Sequence, residues 1–134
     1  MIDDYAHHPT EVTATLEAAR QAFPQARIHV VFQPHLFSRT RDLATEFGRS
    51  LLGADRALVT DIYASRERPI EGVDAGAVVE AAKASGHRNV QLCRDWHDAP
   101  ALLARQVREG DVILTLGAGD IYRLAEELAG EEAA

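Results

Sequence analysis

Several features that assign a protein to a particular class are missing from this sequence of 134 residues. It has a single cysteine, Cys93, which excludes an intrachain disulfide framework and a zinc site built from several thiolates. Lysine occurs once, and 21 acidic residues against 14 basic ones give a net charge of −7, which argues against a duplex-binding module with a basic stripe. No apolar run approaches the roughly 20 residues of a membrane span, and the N-terminal segment lacks a signal-peptide pattern. We therefore expect a cytoplasmic domain without nucleic-acid or membrane partners.

The residues that are present have the composition of one globular domain. Apolar residues make up 46% and charged residues 26%, a balance that allows a buried core to form. Charge is uneven, because residues 1–53 carry 6 acidic and 5 basic side chains while residues 54–134 carry 15 and 9. Four of the six histidines also lie in the first part. An anionic ligand is expected to bind to that part, since acidic surfaces repel phosphates and carboxylates.

Apolar residues alternate along the chain between the period of strands and the period of helices. Short runs rich in β-branched residues predict buried strands, and longer amphipathic stretches predict helices between them. The predicted strands are a very short one at residues 1–3 and four later ones at residues 27–33, 57–60, 90–93 and 112–116. This order predicts an α/β fold with a three-layer, Rossmann-like, mostly parallel sheet and helices on both faces.

The first predicted strand is too short to open such a sheet. We therefore interpret residues 1–129 as one domain of a larger enzyme, and residues 130–134, with the sequence GEEAA, as a frayed and solvated tail. The one long connection spans residues 61–72. Loops of that length in a small domain are typically functional or mobile.

Polar residues concentrate after the predicted strands, where loops bind ligands in an open parallel sheet. Asp3 and Asp4 follow the first strand, and their side chains should point to opposite faces because they are consecutive on an extended segment. One of them could accept hydrogen bonds from sugar hydroxyls. The alternative is a helix cap or a solvated turn.

Two adjacent histidines follow these carboxylates. Pro9 suits the first position of a helix, so His7 and His8 are predicted just outside a helix N-terminus, where neutral imidazole is favoured. A neutral histidine can donate one hydrogen bond to a carboxylate or phosphoryl oxygen. The alternative is that His8 only caps the helix. No further ligand is spaced to complete a metal site, so we predict none.

Arg39 and Arg41 are predicted at the start of another helix, where cations are unfavourable for the helix itself. Together with the first backbone amides they would bind an anion. The alternative is that they pair with Asp42 or Glu46 at the surface. Residues 117–120, with the sequence GAGD, resemble a phosphate-binding loop only loosely, and a tight turn explains them equally well.

Four motifs together resemble the C-terminal domain of the bacterial Mur ligases. They are DDYAHHPTE at residues 3–11, FQPHLFSRTRDL at 32–43, DIYASRERPIEGV at 61–73 and TLGAGDI at 115–121. Among these ligases, the sequence is most similar to members that join L-alanine to UDP-N-acetylmuramate. The resemblance implies a three-domain, ATP- and Mg²⁺-dependent enzyme of peptidoglycan synthesis, which activates the muramate carboxylate as an acyl phosphate before the alanine amine attacks.

The resemblance also implies roles for individual residues. Asp4 matches an aspartate that contacts the ATP ribose. Tyr5, His7 and Arg39 match positions on the amino-acid and product side, and His35 belongs to the same substrate-binding motif. This domain is expected to close over a central ATPase domain of the same enzyme.

One position departs from the resemblance, because Leu36 stands where some members have arginine. The phosphate-binding loop, the magnesium ligands and the UDP-binding domain of the family do not occur in this chain, which is therefore expected to be inactive alone. Two alternatives remain open. One is a stand-alone module that binds a nucleotide or an amino acid without catalysis, and the other is the related ligase that recycles murein tripeptide.

Overall fold

Five parallel strands form one sheet in the computed structural model, which describes the backbone of residues 2–133 and the side chains of residues 2–130. The strands lie in the order β1-β5-β2-β3-β4. They are β1 (Ile2–Asp4), β2 (Ile28–Phe32), β3 (Arg56–Val59), β4 (Val90–Leu92) and β5 (Val112–Leu116), and the helices are α1 (Pro9–Ala22), α2 (Phe37–Ser50), α3 (Gly76–Ala84), α4 (Ala99–Gln106) and α5 (Tyr122–Ala133). The predicted α/β class is confirmed. No helix within the described residues is long and apolar enough to cross a membrane.

Helices cover both faces of the sheet. The crossovers from β1 to β4 all run in one direction and place α1, α2 and α3 on one face, whereas the return from β4 to β5 places α4 on the other face, beside α5. Phe32 and Phe47 belong to the first apolar layer. Val31, Leu103 and Leu124 belong to the second. Val31 and Phe32 are neighbours in β2 but pack in opposite layers, because side chains alternate between the two faces along a strand.

The strand order brings the four polar motifs to one edge of the sheet. The motifs follow β1, β5, β2 and β3, which are consecutive neighbours in the sheet. The long loop after β3 is bound to the loop after β2, since the amide of Tyr63 donates to the carbonyl of Pro34 (2.8 Å) and the amide of Leu36 donates to the carbonyl of Tyr63 (2.9 Å). We refer to this side of the sheet as the carboxyl edge.

The predicted ends of the strands differ from the observed ones by at most one residue, and both ends of β5 match. Asp74 lies one residue before the cap position of α3, and its carboxylate accepts a hydrogen bond from the amide of Gly76. α5 extends past residue 129, where we predicted the domain to end. The predicted frayed tail lies largely outside the described side chains and stays a prediction.

A close contact between α2 and α3 sets the position of α2. A Cβ atom on Gly48 would lie 2.6 Å from the backbone of Ala81 and Ala82, so only glycine allows this approach. The adjacent Phe47 is fully buried, and its ring centroid lies 5.1 Å from that of Phe32 in the sheet. The part of α2 that follows a kink at Leu43 is thus held between α3 and the sheet.

We expect Gly48→Ala to lower the free energy of unfolding by about 1–3 kcal/mol, because the backbone of α3 would have to move. The control is Gly130→Ala in α5, where an added Cβ meets no atom within 4 Å. Alanine favours a helix over glycine by up to about 1 kcal/mol, so this control should be as stable as the parent or more stable. Urea denaturation measures both, and a Gly48→Ala protein of unchanged stability would contradict the close contact.

A cluster of charged residues lies at the amino ends of the strands, opposite the carboxyl edge. Asp111 accepts hydrogen bonds from Nη2 of Arg27 (2.8 Å), from Nε2 of His29 (2.8 Å) and from the amide of Arg108 (3.0 Å). The side chain of Asp111 is 7% exposed and that of His29 is 1% exposed. The hydrogen-bonded guanidinium of Arg27 is the main reason why the pKa of Asp111 lies well below its ordinary value of 3.8. The carboxylate therefore stabilises the fold in its charged form.

Asp111→Asn should lower the free energy of unfolding by about 2 kcal/mol at neutral pH, as expected for hydrogen bonds to a charged group. Because the folded pKa lies below the unfolded value, the stabilisation is complete above about pH 5 and is lost progressively as the pH falls below about 4. Urea denaturation at several pH values should show the two proteins converging in acid. A difference that does not change with pH would contradict this. Asp42→Asn, in an exposed ion pair, should leave the free energy of unfolding unchanged within the error of the measurement.

Candidate functional site

Four aromatic rings from three loops lie in a row at the carboxyl edge. The ring centroids of Tyr5 and His7 are 5.1 Å apart, and those of His7 and His35 are 5.9 Å apart. The ring of Tyr63 then stacks on His35 at 5.9 Å, with 15° between the planes. We call these four residues the aromatic row. It brings together Tyr5, His7 and His35, three of the side chains that the sequence predicts at a substrate site.

The loop after β5 packs beneath the aromatic row. Nε2 of Gln33 donates to the carboxylate of Asp120 (2.7 Å), and Oε1 of Gln33 accepts from the amide of Ile121 (3.2 Å). A Cβ atom on Gly119 would overlap the ring of Tyr63 and the amide of Gln33. This close packing explains why residue 119 is glycine. The GAGD loop is therefore a tight turn that packs against the other loops at the carboxyl edge.

His7 lies before α1 as predicted. Its hydrogen bond, however, leaves the free ring nitrogen as an acceptor and not as the donor that we expected. Nδ1 lies 2.9 Å from the carbonyl oxygen of Tyr5 and 3.6 Å from Oε1 of Glu11. Both oxygens can only accept, so Nδ1 carries the proton. Nε2 of the neutral ring is then an acceptor. A neutral His7 thus suits an amine or hydroxyl donor, and not the carboxylate or phosphoryl oxygen that we expected from the sequence.

His8 has the structural role that was its alternative interpretation. Its Nδ1 accepts a hydrogen bond from the amide of Thr10 (3.3 Å), and Oε1 of Glu11 accepts from the amide of His8 (3.1 Å). These two bonds form a capping box at the start of α1. The capping fixes the loop from which His7 projects.

Asp3 and Asp4 point to opposite faces of the sheet, as the sequence predicts. Oδ1 of Asp3 accepts from the hydroxyl of Thr115 (2.7 Å). Oδ1 of Asp4 accepts from the amide of Ala6 (2.9 Å) and closes the turn that leads into the first loop. Asp4 is half-buried at the base of that loop, and its predicted contact with a ribose stays a prediction.

The start of α2 has an unusual backbone. Leu36 occupies the cap position with a φ of +70°, where non-glycine residues are rare and cost roughly 1–3 kcal/mol. Its amide is held by Tyr63, and its carbonyl accepts from the amide (3.1 Å) and the hydroxyl (2.8 Å) of Thr40. The surrounding loops therefore force this conformation on Leu36, at the position where some Mur ligases have arginine.

Two buried polar atoms beside the aromatic row have no partner among the described residues. They are Nη1 of Arg39 and Nδ1 of His35. A buried polar group without a partner costs about 1–3 kcal/mol, and more when it is charged, so this arrangement indicates a site for an anion. Burial, reinforced by the charge of Arg39, lowers the pKa of His35. The positive charge that faces a ligand here is therefore that of Arg39.

Arg41 takes its alternative role as a surface residue. Its Nε lies 2.8 Å from Oδ1 of Asp42, and both side chains are more than half exposed. The hydrogen bond to Asp42 raises the pKa of Arg41. Of the two arginines predicted at this helix start, only Arg39 faces the interior of the site.

Sequence reasoning missed two residues of the site, Tyr63 and Glu67, although it singled out their loop by its length. Glu67 accepts a hydrogen bond from the amide of Ser38 at the start of α2 (2.9 Å). A signal existed, since this helix start has an apolar cap residue, Leu36, and needs a partner from elsewhere. Tyr63 had no comparable local signal.

The comparisons with known proteins identify the family of this chain. Residues 1–119 match the family model described as Mur ligase, glutamate ligase domain. The UDP-N-acetylmuramate–L-alanine ligase of Salinibacter ruber is 51% identical over 126 residues, which is 94% of this chain and 26% of that protein. The ligase of the same name from Streptomyces griseus is 51% identical over 128 residues, which is 96% of this chain and 27% of that protein. The chain spans about a quarter of the length of these curated relatives.

A solved structure agrees with both the fold and the family. The crystal structure of the UDP-N-acetylmuramate-alanine ligase MurC from Thermotoga maritima aligns with a TM-score of 0.76 at 26% identity, over 96% of this chain and 25% of that one. The parallel sheet, the four loops at its carboxyl edge and the family match lead to the same assignment. The chain therefore belongs to the Mur ligase family and corresponds to the C-terminal domain of these ligases.

Proposed function

We propose that this chain is the C-terminal, substrate-closing domain of an ATP-dependent ligase that joins L-alanine to UDP-N-acetylmuramate. The observation that carries the proposal is a buried guanidinium nitrogen of Arg39, next to the aromatic row, that has no partner in the part of the chain that the structure describes. An α-amino acid has a carboxylate for such a cation and an amine for the acceptor nitrogen of His7. The relatives that are 51% identical carry the name of this activity, which supports the choice of L-alanine.

The proposed reaction forms an amide bond through an acyl phosphate. Bound ATP, with Mg²⁺, would supply the phosphoryl group that activates the carboxylate of UDP-N-acetylmuramate. The alanine amine then attacks the activated carbonyl, phosphate leaves, and the amine loses a proton. The resemblance to the Mur ligases supports assigning Mg²⁺ mainly to the central domain of the enzyme.

The residues of this chain would bind and orient the amino acid. Arg39 pairs with its carboxylate, while Nε2 of His7 accepts a hydrogen bond from its amine and directs the nitrogen lone pair toward the activated carbonyl. Tyr5, which is 68% exposed, can cover the bound substrates from the solvent side. Asp4 would accept hydrogen bonds from the ribose of ATP through the oxygen that Ala6 does not use.

The proposal is tested with the longer ligase that contains this chain. It should form ADP, phosphate and an amide product from ATP, UDP-N-acetylmuramate and L-alanine, and the 134-residue chain alone should form none. Ligation of a murein tripeptide in place of L-alanine would favour the recycling ligase. Binding of nucleotide or amino acid without product would favour a binding module.

Arg39→Ala should raise the KM for L-alanine by tenfold or more, as about 1.5–3 kcal/mol of charged hydrogen bonding is lost. The control is Arg41→Ala, which removes an exposed guanidinium two residues away and should change this KM by less than about twofold. Steady-state kinetics at saturating ATP measures both. Equal effects of the two substitutions would contradict the assignment of the carboxylate to Arg39.

Asp4→Asn should raise the KM for ATP by roughly tenfold with little effect on the KM for L-alanine, because a ribose hydroxyl loses a charged acceptor. The asparagine oxygen can still accept from the amide of Ala6, so the turn is preserved. Asp3→Asn is the matched control, since Asp3 lies on the other face of the sheet. The ribose role is wrong if both variants bind ATP as the parent does.

A further inference from the structure

The carboxylate of Glu67 is bound to the start of α2, 29 positions earlier in the chain. Oε1 accepts from the amide of Ser38 (2.9 Å), and Oε2 accepts a short hydrogen bond from the hydroxyl of the same residue. These bonds, together with one from the amide of Phe37, hold the pKa of Glu67 below its ordinary value of 4.5. The contact therefore joins a charged carboxylate to the positive end of a helix.

Two features of this helix start, its uncapped amides and its excess of positive charge, are both stabilised by a carboxylate. Leu36 at the cap position has no polar side-chain atom to accept from the first amides. The first turn also contains no acidic residue but carries Arg39, and Arg41 follows in the second turn, so that two positive charges oppose the helix dipole. Glu67 supplies both a cap and a compensating negative charge.

The same contact lies beside the groups that face the ligand. Arg39 follows Ser38 directly on the first turn, so a displaced Ser38 would displace the guanidinium. Tyr63, in the same loop as Glu67, is bonded to both Pro34 and Leu36 and stacks on His35. The loop between Tyr63 and Glu67 is itself a tight structure, since the amide of Glu67 donates to the carbonyl of Ala64 (2.9 Å).

We propose that Glu67 is a positioning residue, which caps α2 from the neighbouring loop and thereby holds Arg39 and the His35–Tyr63 stack in their binding geometry. This role rests on the proposed function, in which Arg39 binds the amino-acid carboxylate. Glu67 itself is not expected to touch the substrate, because its carboxylate is occupied by α2.

The structural part is tested by NMR on the 134-residue chain. In Glu67→Ala, hydrogen exchange of the Ser38 amide should accelerate by about tenfold or more, as for a bond opened to solvent, and the contacts between the rings of His35 and Tyr63 should weaken. Glu67→Gln retains one acceptor oxygen and should restore part of the protection. Glu71→Ala, which removes an exposed carboxylate from the same loop, should behave as the parent. Unchanged Ser38 exchange in both Glu67 variants would overturn the proposal.

The functional part is tested by kinetics of the longer ligase. Glu67→Ala should raise the KM for L-alanine about fivefold, the ratio typical of a lost helix cap, while kcat changes by less than about twofold. Glu67→Gln should lie between the parent and Glu67→Ala, and Glu71→Ala should match the parent. Equal KM values for all four proteins would overturn the positioning role. If the parent ligase forms no product from L-alanine, the proposed function fails, and the exchange experiment still decides whether Glu67 holds α2.

Discussion

The neutralisation of the positive start of α2 is the interaction on which the site depends. The helix begins with an apolar cap residue in a left-handed conformation, and two arginines follow within its first turns. An internal carboxylate, that of Glu67, satisfies the first amides. The guanidinium of Arg39 keeps a buried nitrogen without a partner among the described residues, so the helix start is capped internally while one charged nitrogen stays available for the proposed anion.

The two edges of the sheet differ in how their arginines are paired. At the edge that carries Asp111, its carboxylate accepts hydrogen bonds from Arg27 and from Nε2 of His29, while Nδ1 of His29 has no partner among the described residues. At the carboxyl edge, Nη1 of Arg39 and Nδ1 of His35 are buried without a partner among the described residues. Because a buried charged group without a partner is especially costly, we expect a ligand or another domain to complete the pairing of Arg39.

Much of the fold could be predicted because its signals are local. The apolar run of β5 matches the predicted strand in both ends, and the opposite orientation of Asp3 and Asp4 follows from the period of an extended chain. The parallel class follows from strands that alternate with helices. The strand order does not, since the position of β5 between β1 and β2 depends on contacts between distant parts of the chain.

The site was predicted less completely, because some of its contacts join loops that are distant in the sequence. Tyr5, His7, His35 and Arg39 stand in recognisable motifs at strand ends, and three of them do meet in the aromatic row. The bond between Glu67 and Ser38 joins two loops and has no period along the sequence. The acceptor character of His7 depends on one carbonyl oxygen, that of Tyr5, whose direction is set only in the folded loop.

The proposed pairing of Arg39 with the carboxylate of L-alanine is tested most directly by comparing L-alanine with L-alaninamide, which lacks the negative charge, as substrates of the longer ligase. The kcat/KM of the parent should be at least about tenfold higher with L-alanine than with L-alaninamide. In Arg39→Ala this ratio should fall to about one, because the substitution and the amide each remove one partner of the same charged pair. An equal ratio in both enzymes would contradict this pairing.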